Sequence, residues 1–208
     1  YPILVPSETG LHIGLSNCPD GGSGNSYNRV RYLFFPKGSF TPSINEIVAE
    51  TTLGHNTYAT DMTVSPSGEV HVAYMWNHRV YGDPLPESAE PVGTYHAVRG
   101  ADGSWSKVQL SPLGIAGFHQ FGDMFQVISQ VYGELHTQTW EADSRKWSAS
   151  SVLVAPDASP VSAGFIDVLN YSSGSVVGPS PVLVTDGLLP DKTDTLQQRM
   201  LWSSGLSQ

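Results

Sequence analysis

Seven histidines are the residues best suited to chemistry in this 208-residue chain: His12, His55, His71, His78, His96, His119 and His136. An imidazole can move a proton near neutral pH, bind a metal, or hydrogen-bond a hydroxyl-rich ligand. No two are spaced by four residues on a helical pattern, and neither HExxH nor a Cys/His cluster occurs, so no metal site and no cofactor are expected. His55 and His119 each come before an Asp-Met pair, at Asp61-Met62 and Asp123-Met124. This predicts that both face the mouth of a channel ahead of an inner strand. His71 and His136 share the context Gly-Glu-(Val/Leu)-His, which predicts one repeated structural hydrogen bond between neighbouring sheets.

Around these histidines stand aromatic and amide side chains. Tyr58, Trp76, Tyr81, Tyr95 and Phe118 are expected on one rim. Aromatic faces stack on the C–H faces of sugar rings, and His and Asn bind the hydroxyls, as in a small polar-ligand site. The candidate ligand-binding set is therefore His55, Asn56, Tyr58, Trp76, His78, Tyr95 and His119. Asp61, Asp123 and Asp167 are each expected to begin an inner strand; they either accept backbone N–H bonds in turns or ring a channel that takes a cation.

These side chains must be positioned by strands. Only 14% of residues are charged, there are 21 Gly and 15 Pro, and strong amphipathic helix patterns are absent. That is the profile of an all-β chain with many tight turns. In Thr94–Pro112 a short strand runs through Gly-Ala-Asp-Gly into Ser-Trp and a second strand; Glu134–Pro156 repeats the design, with Trp105 and Trp147 42 residues apart. A repeat of that length built from short strands predicts a small β-propeller. Four blades are expected in a single domain, residues 1–208. The N-terminal strand Tyr1–Val5 is expected to close the last blade, after Trp202. Met75–Gly93 is an inserted surface loop, and Trp105, Trp147 and Trp202 are expected to pack blades with their indole N–H groups on turns.

The net charge of −9, with only 10 Lys and Arg, disfavours nucleic acid and anionic membrane surfaces. No apolar run approaches the roughly 20 residues that span a bilayer. The chain opens at Tyr1 without Met or an apolar leader, so a mature or trimmed secreted protein is expected. Cys18 is the single cysteine and has no internal partner for a disulfide. Asn170-Tyr171-Ser172 is a glycosylation triplet of the kind that arises by chance. A homo-oligomer is compatible with this composition.

Gly54-His55-Asn56-Thr57, Gly68-Glu69-Val70-His71-Val72-Ala73-Tyr74, Asn77-His78 and Tyr95-His96-Ala97-Val98-Arg99 together resemble the BNR-repeat propellers that include ulvan-type polysaccharide lyases. The resemblance covers about 50 residues. It implies β-elimination on a uronic-acid glycan, with His55 or His78 as base and Arg79 or Arg99 neutralising the carboxylate. The family's tyrosine acid/base and its arginine have no counterpart in the third blade, where Phe118-His119-Gln120-Phe121 and Glu134-Leu135-His136-Thr137-Gln138 stand. The stretch Gly133-Glu134-Leu135-His136-Thr137-Gln138-Thr139-Trp140 resembles fungal and bacterial propeller lectins, which hold a sugar at each blade. The expected function is a carbohydrate-binding, lectin-like propeller; a lyase and a protein-interaction scaffold are the alternatives.

Overall fold

The structure, a computed structural model, describes residues 2–17, 28–51, 56–65, 67–77, 93–111, 116–121, 124–131, 134–154, 166–168, 182–186 and 197–201. All of its regular structure is β, and no helix is long and apolar enough to cross a membrane among the described residues. The chain divides into two compact units, Tyr1–Pro112 and Leu113–Gln208.

The first unit holds two four-stranded antiparallel meanders. Strands β1 (Ile3–Pro6), β2 (Gly10–Asn17), β3 (Arg29–Pro36) and β4 (Ile44–Glu50) lie in chain order. So do β5 (Asn56–Val64), β6 (Val70–Asn77), β7 (Gly93–Arg99) and β8 (Trp105–Ser111). The period-2 pattern explains the packing. On β6, Val70, Val72, Tyr74 and Trp76 share a face and enter one core with Tyr95 and Ala97 of β7 and Met62 of β5. Val5, Val30, Tyr32, Val48 and Ala49 of the first sheet complete that core. The opposite face of β6 and β7 is also buried, at His71, Ala73, His96 and Val98, so both strands are covered on both faces.

The second unit begins with β9 (Ala116–Phe121), β10 (Met124–Val131) and β11 (Glu134–Glu141). β11 pairs with both β12 (Lys146–Trp147) and β13 (Ser151–Val154). Phe118 and Phe125 pack on Trp147 at ring-centroid distances of 6.4 and 5.5 Å, and Trp140 meets it edge-on at 5.1 Å. Strands β14 (Ile166–Val168), β15 (Val182–Asp186) and β16 (Gln197–Leu201) form a three-stranded meander.

The N-terminal strand does not extend the last sheet. β1 is the edge strand of the first, with Ile3 opposite Gly14 and Pro6 opposite Leu11. A hairpin closing through Ser7–Thr9 brings its partner only a few residues away, so local pairing wins over a contact spanning the whole chain. The inner strand of the second sheet starts at Asn56, not at Asp61; a bulge between Ala59 and Asp61 lets Ala59 and Met62 share a face. The second sequence copy is offset as well. Asp61-Met62 lies inside β5, the first strand of its sheet, whereas Met124 opens β10, the second strand of its sheet.

Candidate functional site

The sequence-predicted residues fall into three groups. His55 and His78 lie outside the described residues, as do Tyr81, Asp123, Trp202, Cys18 and Asn170. Their neighbours Asn56 and Asn77, however, are register partners at one end of the second sheet. Two chain segments about 20 residues apart thus meet there. Beside that pair, Thr57 donates its hydroxyl to the Met75 carbonyl at 3.2 Å, and Tyr58 directs its hydroxyl at Met75 Sδ at 2.9 Å. Burial raises the Tyr58 phenol above its ordinary value. Tyr58 is half-buried at this end of the sheet.

The second group was expected on a rim and is found in the core. Trp76 and Tyr95 are each only 6% exposed. Tyr95 stacks on Tyr74 at 5.4 Å and 16°. Both belong to the face that packs against the first sheet, so neither offers a free ring to a ligand. Phe118 is fully buried on β9. His119 lies within β9, opposite Gln126, not ahead of an inner strand.

The third group is engaged with partners inside the protein. Arg99, a candidate carboxylate neutraliser, donates Nε and Nη2 to Glu46 at 2.8 and 2.6 Å. Trp105 donates its indole N–H to the same carboxylate at 3.0 Å, rather than to a turn. Arg99 holds the Glu46 carboxyl below its ordinary value, and Glu46 in turn raises Arg99. His71 Nδ1 lies 2.9 Å from His96 Nε2, the rings parallel within 11°. His71 is thus bonded within its own sheet, between β6 and β7. His136 Nδ1 lies 2.9 Å from the Ser150 hydroxyl, and it stands on β11, a third strand, while His71 stands on a second. Asp61 accepts the N–H of Met62 at 2.7 Å, the backbone role open to it from sequence. No cluster of three His, Cys, Asp or Glu suited to a metal occurs among the described residues.

Two constellations escaped the sequence reading. One is the Glu46–Arg99–Trp105 cluster, and the other is His12 between Ser7 and Tyr32. A signal for the first was present. Ile44, Glu46 and Val48 alternate on the inward face of β4, and a carboxylate at an inward position needs a cationic partner.

No known protein family matches this chain, and neither does any curated protein. Among solved structures it is similar to a luciferin-regenerating enzyme at 15% identity and a TM-score of 0.49, over 88% of this chain and 54% of that one. The chain therefore spans about half the length of that structure.

Proposed function

We propose that this chain is a secreted, carbohydrate-binding β-propeller of four blades, with its saccharide site at the Asn56–Asn77 end of the second sheet. The observation that carries the reading is the register pairing of Asn56 with Asn77. It sets Asn56 of β5 opposite Asn77 of β6, next to half-buried Tyr58. Asparagine amides are a residue type suited to sugar hydroxyls, and an aromatic face suits a pyranose ring. The meander order of the two four-stranded sheets of the first unit supports the propeller reading. Trp76, Tyr95 and Arg99 are no longer members of the proposed site, because the core and Glu46 occupy them.

The test is a titration with neutral and uronic-acid oligosaccharides, followed by amide shifts and by ultraviolet absorbance of the unsaturated elimination product. Shifts centred on Asn56 and Tyr58, weakened about tenfold in Asn56→Ala, with no absorbance change, support the binding reading. An absorbance rise would make the protein a lyase. No shift and no absorbance change would leave the protein-interaction scaffold.

A further inference from the structure

His12 on β2 is 7% exposed and has both ring nitrogens engaged. Nδ1 lies 2.8 Å from the Tyr32 hydroxyl, and Nε2 lies 3.1 Å from the Ser7 hydroxyl. Ser7 sits in the β1–β2 connection, where its oxygen accepts the Gly10 N–H at 3.2 Å and its hydrogen is directed at the Gly10 carbonyl at 3.1 Å. Spent on the Gly10 carbonyl, or on the Thr9 hydroxyl 3.2 Å away, that hydrogen leaves Ser7 to accept from Nε2–H and Nδ1 to accept the Tyr32 hydrogen. A neutral imidazole therefore satisfies the whole relay.

The order serine–histidine–tyrosine imitates a nucleophilic relay. Its third member is a phenol that burial pushes up to about 12, against the pull of Arg99. It stays protonated and cannot balance an imidazolium.

We propose that His12 is a proton-operated latch on the N-terminal strand: protonation of its ring releases β1 and the Ser7–Gly10 turn from β2. A charged imidazole carries two N–H donors. Nδ1–H would then face the Tyr32 hydrogen, which must turn away from its present acceptor. The charge would lie buried beside the rings of Tyr32 and Phe34, at 5.9 and 4.7 Å. The ionisable groups on the packed elements give no relief. The β1–β2 turn carries Glu8, which is exposed, and β5 carries Tyr58 and Asp61. Glu46 of β4 and Arg99 of β7 reach the Tyr32 side of the relay and are paired with each other. None forms an ion pair with His12 among the described residues. β1 is the element that yields at least cost. It is a four-residue edge strand ending in Pro6, and its Leu4 is 55% exposed. Burial also holds the His12 imidazole below its ordinary value. Its contribution to stability is therefore present above the ordinary imidazole value and is lost as pH falls below it.

The experiment is amide hydrogen exchange on the full chain, expressed as protection factors at about pH 7.5 and about pH 5. The expected result is a fall of about tenfold or more in β1 protection on acidification, with β6 protected at both values, and no such fall in His12→Gln. Should His12→Gln not fold, the His12 ring protons of the wild-type chain, followed by NMR across the same pH range, should titrate with the midpoint at which β1 protection falls. An unchanged β1 protection in the wild-type chain, an equal fall in His12→Gln, or a fall in β1 protection over a pH range in which the His12 ring does not titrate would each overturn the proposal.

Discussion

The Glu46 carboxylate on β4 and the Arg99 guanidinium on β7 form a two-pronged pair, at 2.6 and 2.8 Å, between the first and second sheets. Both side chains are largely shielded, 25% and 20% exposed, and the Trp105 indole adds a third donor to the same carboxylate. Glu46→Ala should therefore cost about 1–3 kcal/mol, because it leaves Arg99 and the indole N–H without their acceptor. Denaturant unfolding of the single variants and of the pair with Arg99→Ala should return a favourable coupling energy.

The same pair sets an acid dependence. The Glu46 carboxyl titrates lower folded than unfolded, chiefly through its hydrogen bond to Arg99. The stability it contributes is present above the ordinary carboxylate value and lost as pH falls through the lower folded value. Thermal unfolding across the acid range should show a shallower decline in Glu46→Gln than in the wild-type chain.

Gly103 and Arg145 each stand two residues before a repeat tryptophan, and both have left-handed backbones, φ 83 and 52. A side chain strains that conformation by about 1–2 kcal/mol. Arg145→Gly should raise stability by about 0.5–1 kcal/mol once glycine's entropy is counted. Gly103→Ala should lower it, since the new Cβ would also come 3.3 Å from Arg99 Nη2 and Glu46 Oε1. Urea midpoints of the two variants, moving in opposite directions, check this.

Two glycines of β2 separate backbone crowding from side-chain crowding. A Cβ on Gly10 would run into the Phe35 carbonyl oxygen, which belongs to the ladder and cannot move aside. A Cβ on Gly14 would meet the flexible Met62 thioether at 3.2 Å. Gly10→Ala should abolish folding or cost several kcal/mol, on the order of 3. Gly14→Ala should cost about 1 kcal/mol or less. Circular dichroism melts of both variants distinguish the cases.

Trp76 tests the division between core and site. Truncating it should cost about 3–5 kcal/mol through the cavity it leaves. Loss of saccharide binding in Trp76→Ala should then follow the melting curve. Binding lost by a fully folded Trp76→Ala protein would return this ring to the ligand site.

Most strands of the first unit were legible because period-2 alternation is written directly in residue order. Val70, Val72 and Tyr74 announce a strand with an apolar face, and the structure places β6 there but carries it on to Asn77, through Met75 and Trp76, which the residue pattern assigns to a surface loop. The left-handed glycines Gly38, Gly68 and Gly103 were legible as turn residues for the same local reason. The parallel stops there: Phe40, two residues after Gly38, is fully exposed, while Trp105, two after Gly103, opens β8 and packs on Tyr32 at 5.7 Å. Short motif likeness does not carry register, and β9 displaced the second copy by one strand.

Residue order is enough to read the all-β class and most turn positions, since backbone sterics and alternation act within a few residues. Tertiary structure alone decided that Trp76 and Tyr95 are core, that Arg99 belongs to Glu46, and that β1 joins β2. An exposed ring and a buried one have the same chemistry in the chain. Only the arrival of a second sheet, whose residues lie up to 59 positions away as for Glu46 and Trp105, separates them.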